Sequence, residues 1–230
     1  MSDAPEGPKG VLWDMDGTLL DSEKIWDVVV RELSLHLGGP MTEETRRKTI
    51  GSSSAKTLGV IFDSLGLDHD PYALSEAREW MLSRVEERFR GGIPWRPGAR
   101  EALRAIRASG LKSALVTNTG RRLTDRALDT IGREHFDYSV CGDEVPAGKP
   151  HPDPYLRGAE LLGLSPSECL AIEDSPTGVA SAEAAGCIVL VVPCEVEVPV
   201  APGRVFRDSL EGLSALELSE LWVQPTVVRR

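Results

Sequence analysis

Segments typical of helices alternate with short apolar segments typical of strands through the second half of the chain. Apolar residues recur every three or four positions in segments such as "AREALRAIRASG". Between such segments lie the strand-like "KSALVTN", "DYSVCGD", "ECLAIED" and "CIVLVV". This order favours parallel strands covered by helices on both faces. We therefore predict an α/β fold built on an open parallel sheet.

The first half of the chain follows a different pattern. After one strand-like segment, "GVLWD" at 10–14, residues from about 23 to 90 are almost wholly helical in their spacing of apolar residues. The Gly/Pro-rich "GGIPWRPGAR" then precedes the alternating pattern. We expect residues 1–22 and 92–230 to form the core, and residues 23–91 to be a helical cap over the carboxyl end of the first strand.

Composition narrows the class of protein. At 230 residues and 41% hydrophobic content, the chain can bury one sizeable core and a smaller second unit. The formal net charge of -10 disfavours binding to nucleic acid or to an anionic membrane. There is no CxxC pair, secretory signal or long apolar run. We expect a cytoplasmic monomer or weak dimer with no nucleic-acid or membrane partner.

Polar residues follow three of the predicted strands. Ligands of open parallel sheets bind at the carboxyl ends of the strands, so these side chains should share one edge of the sheet. The candidate residues are Asp14, Asp16, Thr117, Asn118, Glu173 and Asp174.

Carboxylates gathered at one edge require compensation, because two unit charges about 4 Å apart repel by roughly 4 kcal/mol at an effective dielectric near 20. Oxygen ligands favour Mg²⁺, which commonly binds phosphate oxygens in enzyme sites. One aspartate of "DMDG" can act as a nucleophile and the other can exchange a proton. Backbone N–H groups at Gly17, the Thr117 hydroxyl and the Lys149 ammonium would stabilise a transferring phosphoryl group.

Four sequence motifs together resemble a known family. "DMDGTLLDS", "VTNTG", "GKPHPDPY" and "AIEDSPTG" are similar to the four successive motifs of the haloacid dehalogenase superfamily, in order and approximate spacing. The resemblance extends from Gly10 to about Leu213. Any one motif alone is weak evidence, whereas four in order are strong evidence.

The resemblance implies a Rossmann-like core with a mobile helical cap, and Mg²⁺-dependent phosphoryl transfer through an aspartyl phosphate. By position, Asp14 would be the nucleophile and a metal ligand. Asp16 would be the general acid/base, with its main-chain carbonyl on the metal. Asp174 would complete the metal site, and Glu173 is a candidate metal ligand that could instead act through water.

The resemblance also implies the residues that hold phosphate. Thr117 and the amide of Asn118 would bind its oxygens, and Lys149 would offset charge. The basic pair Arg121 and Arg122 could steer an anionic substrate, although a solvated helix start explains it equally well.

Asp16 and the cap residues discriminate within the superfamily. True haloacid dehalogenases lack an aspartate at this second position, so Asp16 favours phosphate chemistry. The residues of the later motifs resemble those of the branch that contains β-phosphoglucomutase and small-metabolite phosphatases. The mutase uses a cap histidine and a cap arginine, where this chain has Trp26 and a serine of "GSSSAK". We therefore predict a phosphomonoester hydrolase acting on a small phosphorylated metabolite. The alternatives are a phosphosugar mutase and a catalytically silent regulator that binds a phosphometabolite.

Overall fold

A computed structural model describes residues 7–223 of the chain. Its centre is a six-stranded sheet in which every pair of neighbouring strands is parallel, in the order β3-β2-β1-β4-β5-β6. The prediction of an α/β fold with an open parallel sheet is confirmed. The strands are β1 (Gly10–Trp13), β2 (Lys112–Val116), β3 (Tyr138–Val140), β4 (Cys169–Glu173), β5 (Ile188–Val191) and β6 (Arg204–Phe206).

Among the described residues, five α-helices lie in sequence between β1 and β2, and four follow β2. We call residues 23–91 the helical insertion. Side chains of Thr42, Ser53 and Asp70 accept hydrogen bonds from the first turns of α2, α3 and α4, which explains where these helices begin. The helices are α1 (Glu23–His36), α2 (Glu43–Thr49), α3 (Ser54–Leu65), α4 (Pro71–Phe89), α5 (Ala99–Ala108), α6 (Arg121–Ile131), α7 (Asp153–Leu162), α8 (Pro176–Ala185) and α9 (Ala215–Val223).

The sheet separates two apolar cores. Along β1, Val11 and Trp13 pack into one core, together with α5, α6 and residues of the helical insertion. Leu12 points to the opposite face, where it packs with residues of α7 and α8. All four residues of β1 are buried, because helices cover both faces of a central parallel strand.

The strand order places three strand ends side by side. β1 lies between β2 and β4, and Trp13 is opposite Leu115 on one side and Ile172 on the other. The chain runs outward from β1 to β3 in one direction and from β4 to β6 in the other. This reversal of strand order is the place where open α/β sheets bind ligands.

The two segments that connect the helical insertion to the sheet are hydrogen-bonded to each other. The amide of Asp21 donates to the carbonyl of Pro94 at 2.8 Å, and the amide of Arg96 donates to the carbonyl of Leu19 at 2.9 Å. Leu20 and Trp95 form an isolated antiparallel bridge between them. The insertion therefore leaves and re-enters the α/β core at one point.

Two elements were not predicted from the sequence. β6 has only three residues, too few for a period-two pattern, and α9 follows it near the end of the described chain. No helix within residues 7–223 is both long enough and apolar enough to cross a lipid bilayer. Most of the N-terminal stretch "MSDAPEGPKG" and the last seven residues lie outside the described residues.

Candidate active site

A cleft lies between the carboxyl edge of the sheet and the helical insertion. One wall comes from the loops that follow β1, β2, β3, β4 and β5, and the other comes from α1, α2, α3 and the residues between α2 and α3. The lining residues include Asp14, Asp16, Thr117, Asn118, Lys149 and Asp174 from the first wall, and Glu23, Trp26, Val30, Arg46, Thr49, Ile50, Ser52 and Ser54 from the second.

Lys149 joins two buried carboxylates at the floor of the cleft. Its Nζ donates to Oδ1 of Asp14 and to Oε1 of Glu173, both at 2.6 Å. Tyr155 donates its hydroxyl to the same Glu173 oxygen at 2.6 Å. Burial alone would lower the pKa of the Lys149 ammonium, but the two carboxylates outweigh that effect and raise it. Lys149 is therefore held as a cation beside Asp14.

Asp14 lacks full compensation for its charge. Burial, and then repulsion from Glu173, raises the pKa of Asp14 to about 7, against the opposing effect of Lys149. Its second oxygen, Oδ2, is buried without a hydrogen-bond partner among the described residues. An unpartnered buried carboxylate oxygen is costly unless a proton or a cation binds it.

A divalent cation fits this group of residues. Asp14, Glu173 and Asp174 are buried, and each offers an oxygen within 4.8 Å of those of the other two. Burial, followed by repulsion from Asp14, raises the pKa of Asp174 well above its usual range. The main-chain carbonyl of Asp16, another predicted ligand, accepts no hydrogen bond within the described part of the chain. A set of oxygen donors of this kind suits a hard cation such as Mg²⁺.

Asp16 is held by hydroxyl groups rather than by a cation. Ser22 donates to its Oδ1 at 2.5 Å, and Thr117 and Thr119 donate to its Oδ2 at 3.2 and 2.8 Å. The loops after β1 and β2 thus orient one carboxylate, which lines the cleft together with Asp14. Such a carboxylate can accept or return a proton in the cleft.

Asn118 fixes the loop that carries Lys149. Its Oδ1 accepts from the Lys149 amide at 2.7 Å, and its Nδ2 donates to the Lys149 carbonyl at 3.2 Å. The side chain is thereby used in positioning. The main-chain N–H of Asn118 donates to no partner among residues 7–223, so it is the part of this residue available to an anion.

The loop after β1 differs in one respect from the expectation. The amide of Gly17 donates to the carbonyl of Leu20 at 2.8 Å, so it is not available to phosphate. The amides of Met15 and Asp16 have no acceptor in the described chain. Gly17 is instead required for space: its φ is +91°, and a Cβ there would collide with the carboxylate of Asp174.

Glu173 is enclosed by protein donors. Besides Lys149 and Tyr155, the amide of Asp174 donates to its Oε2 at 3.2 Å, and its side chain is fully buried. Both of its oxygens are already hydrogen-bonded, which favours a role in positioning Lys149. Direct ligation of a metal by Glu173 stays a prediction.

Sequence reasoning gave no role to several residues that line the cleft or are hydrogen-bonded to its floor. Tyr155 ends the quoted motif "GKPHPDPY" but was given no role, and Glu23 follows Ser22 at the end of the first motif. Arg46, in α2, lies among charged residues with no motif around it, so only the packing of the helices could show that it reaches the cleft. Trp26 and two serines of "GSSSAK", Ser52 and Ser54, do line it.

Arg121 and Arg122 do not line the cleft. Arg121 donates to both carboxylate oxygens of Glu144 at 2.8 and 2.7 Å. Arg122 reaches the helical insertion, where it donates to Glu79 at 2.8 Å and to Glu86 at 2.9 Å. The pair therefore serves structural contacts, and the idea that it steers substrate has no support from its position.

Comparison with known proteins identifies relatives over most of the chain. Residues 8–186 match the family model described as haloacid dehalogenase-like hydrolase. The chain is 32% identical to the phosphorylated carbohydrates phosphatase of Thermotoga maritima over 77% of its length and 82% of the relative's. It is 33% identical to hexitol phosphatase A of Escherichia coli over 83% and 86% of the two chains.

A solved structure with a similar fold is β-phosphoglucomutase from Clostridium difficile. Its TM-score is 0.79, at 18% identity, over 94% of this chain and 97% of that one. At that identity the likeness extends to the fold alone. The superfamily inferred from the four motifs is confirmed by the family model and by two relatives named as phosphatases, and the fold is shared with β-phosphoglucomutase.

Proposed function

The chain belongs to the haloacid dehalogenase-like hydrolases, and from that premise we propose that it is a Mg²⁺-dependent phosphomonoesterase acting through an aspartyl phosphate. Its substrate would be a small phosphorylated metabolite. The observation that carries the proposal is the Asp14 carboxylate, which is buried at the cleft floor with one oxygen on Lys149 and the other without a partner. The names of the relatives, both phosphatases, support the same reaction class.

In the first step, an Asp14 oxygen attacks phosphorus, and a new acyl–phosphate bond forms as the ester P–O bond breaks. Asp16 gives a proton to the departing alkoxide, so that an alcohol leaves. The hydroxyls of Ser22, Thr117 and Thr119 hold the Asp16 carboxyl group in one orientation, which supports this role. Lys149 and free amides of the strand-end loops stabilise charge on the phosphoryl oxygens.

In the second step, water attacks the phosphorus of the aspartyl phosphate. Asp16, now a carboxylate, accepts a proton from that water, and the acyl–phosphate bond breaks to restore the Asp14 carboxylate and release inorganic phosphate. Asp14, Asp174 and the Asp16 carbonyl would hold Mg²⁺. When bound, the ion neutralises the gathered carboxylates and binds phosphate oxygens. Glu173 keeps Lys149 beside Asp14 throughout.

The helical insertion would act as the cap in this reaction. It supplies one wall of the cleft, and its paired connecting segments offer one point about which it can move. Closure would exclude bulk water while the ester bond breaks.

The test is phosphate release from a panel of phosphorylated metabolites, with Mg²⁺ or with a chelator. The purified wild type is compared with Asp14→Asn and with Asp68→Asn, an exposed aspartate between α3 and α4. We expect turnover only with Mg²⁺, its loss in Asp14→Asn, and its retention in Asp68→Asn.

Three results would overturn the proposal. Undiminished turnover by Asp14→Asn would remove the proposed nucleophile. Turnover that requires a bisphosphate activator and releases no phosphate would indicate the mutase. Tight binding of a phosphate ester without turnover would indicate the regulator.

A further inference from the structure

The wall that the helical insertion contributes to the cleft carries an acidic and a basic side chain that hold each other. Glu23 and Arg46 both line the cleft and are 7% and 4% exposed. Nη2 of Arg46 donates to Oε2 of Glu23 at 3.1 Å, and Nε of Arg46 donates to Asp27 at 2.7 Å. Asp27 is shared with Arg31, whose Nε donates to its Oδ1 at 3.0 Å, so Glu23 is the carboxylate that offsets the charge of Arg46 at the cleft.

No unpaired cation faces the leaving-group side of the cleft within the described chain. Lys149 is the other basic residue of the lining, and Asp14 and Glu173 hold it. Glu195, from the loop after β5, adds a further carboxylate to the same space. A second anionic group on the substrate would approach Glu23 and Glu195 without a free positive charge to receive it.

A leaving group that is an uncharged alcohol with several hydroxyls suits this wall better than one that carries a second anion. Three of the five N–H groups of Arg46 are used, by Glu23, Asp27 and Thr49, which leaves two donors. Oε1 of Glu23 accepts no hydrogen bond from residues 7–223, which leaves an acceptor. Hydroxyl groups both donate and accept, so neighbouring hydroxyls can satisfy both partners, whereas a carboxylate or phosphate only accepts.

Resting on the phosphatase function proposed above, we propose that the Glu23–Arg46 pair selects substrates by the charge of the group that carries the phosphate. It would make the cleft selective for phosphate monoesters of neutral polyols or sugars over esters that carry a carboxylate or a second phosphate. Burial, and then repulsion from Asp16, raises the pKa of Glu23 to about 7, so Glu23 carries the repelling charge at pH 8, the pH of the test below.

The test compares kcat/KM at pH 8, with Mg²⁺, for glucitol 6-phosphate, 2-phosphoglycolate and fructose 1,6-bisphosphate. Acetyl phosphate serves as a probe whose leaving group has no hydroxyls. We expect the wild type to prefer glucitol 6-phosphate over both doubly anionic esters by at least about tenfold. Glu23→Gln should reduce the preference over 2-phosphoglycolate by about tenfold, because it removes the repelling charge. The control is Glu44→Gln, an exposed glutamate of α2 paired with Lys48, which should keep the wild-type preference.

A wild type that hydrolyses 2-phosphoglycolate or the bisphosphate as well as the polyol ester overturns the inference. So does a folded Glu23→Gln variant with an unchanged preference. If Glu23→Gln does not fold, two wild-type measurements replace it. The inference requires a preference for glucitol 6-phosphate and stronger inhibition by glucitol than by glycolate, and it fails if either is absent. If acetyl phosphate is hydrolysed in an Asp14-dependent manner but glucitol 6-phosphate is not preferred over the doubly anionic esters, the inference fails and the proposed function stands. Failure to hydrolyse any of the esters removes the proposed function and the inference with it.

Discussion

At the scale of single residues, Lys149 carries the electrostatic balance of the cleft floor. It is 8% exposed and lies between Asp14 and Glu173, each of which would otherwise be a buried carboxylate without a cation. Removing one partner of a buried ion pair usually costs more than the pair itself contributes, because the remaining charge is stranded.

We therefore predict that Lys149→Met lowers the free energy of unfolding by about 3–5 kcal/mol in the absence of Mg²⁺. Urea denaturation at pH 8 measures it. Lys48→Met is the matched control, since Lys48 forms an exposed pair with Glu44, and it should cost less than about 1 kcal/mol. Equal losses for the two variants would contradict this account of Lys149.

Glu173→Gln separates two roles for that residue. If Glu173 positions Lys149, kcat should fall about 10- to 100-fold while the Mg²⁺ concentration for half-maximal activity changes little. If Glu173 binds the metal directly, that concentration should rise steeply. Tyr155→Phe removes only the hydroxyl that donates to Glu173 and should have a smaller effect on kcat.

The limits of sequence reasoning at this scale differ between the two walls of the cleft. Asp14, Thr117 and Asp174 could be brought together in advance, because each follows a parallel strand and such strands end at one edge. The contact between Glu23 and Arg46 could not be predicted, because it depends on how α1 packs against α2. No sequence pattern around either residue indicates that packing. The hydroxyl groups around Asp16 come from the loops after β1 and β2, and only the folded structure shows that they converge on this carboxylate.

At the scale of elements, α4 of the helical insertion is fastened to α6 of the core by charged side chains. Arg122 donates to Glu79 and Glu86, and Arg126 donates to Glu86 at 3.0 Å. The arginines hold the pKa of Glu86 below its usual range. We call these four residues the α4–α6 clasp. Single ion pairs near the surface contribute little, but a network that shares the buried Glu86 can bias an equilibrium between open and closed arrangements.

We predict that Arg122→Ala favours opening of the insertion and lowers kcat/KM several-fold at low ionic strength. The variant should also lose much of the salt dependence of kcat/KM, because salt screens the same pairs in the wild type. Arg133→Ala is the control, since Arg133 of the core pairs with Asp125 and does not contact the insertion. A salt dependence identical in Arg122→Ala and the wild type would count against the clasp.

The sequence predicted the longer elements better than the short ones. Helices such as α5 carry a clear apolar stripe and end near a glycine, Gly110, with a φ of +81°. β6 has three residues, and it is held in the sheet through its pairing with β5 rather than by a pattern of its own. Its position beyond the loop at 195–203 could only come from tertiary structure.

At the scale of the whole molecule, the carboxylates of the cleft couple metal binding to stability. A ligand that binds only the folded state at about 100 times its Kd adds roughly 2.7 kcal/mol. For a chain of this size, we predict that saturating Mg²⁺ raises Tm by roughly 5–10 °C. Thermal unfolding with Mg²⁺ and with chelator measures the shift. Asp174→Asn should show a much smaller shift, and an equal shift in that variant would contradict the proposed metal site.

The paired connecting segments have a consequence for how such a protein can evolve. The chain departs for the helical insertion and returns from it through residues joined by a hydrogen bond from Asp21 to Pro94. Because the two ends of the insertion are adjacent, it constrains the α/β core no more than a short surface loop would, whatever the length of the insertion. A different set of helices can be grafted at this junction without stretching the sheet. The core residues proposed to break the ester and the insertion residues proposed to select the alcohol can thus change at different evolutionary rates within one gene.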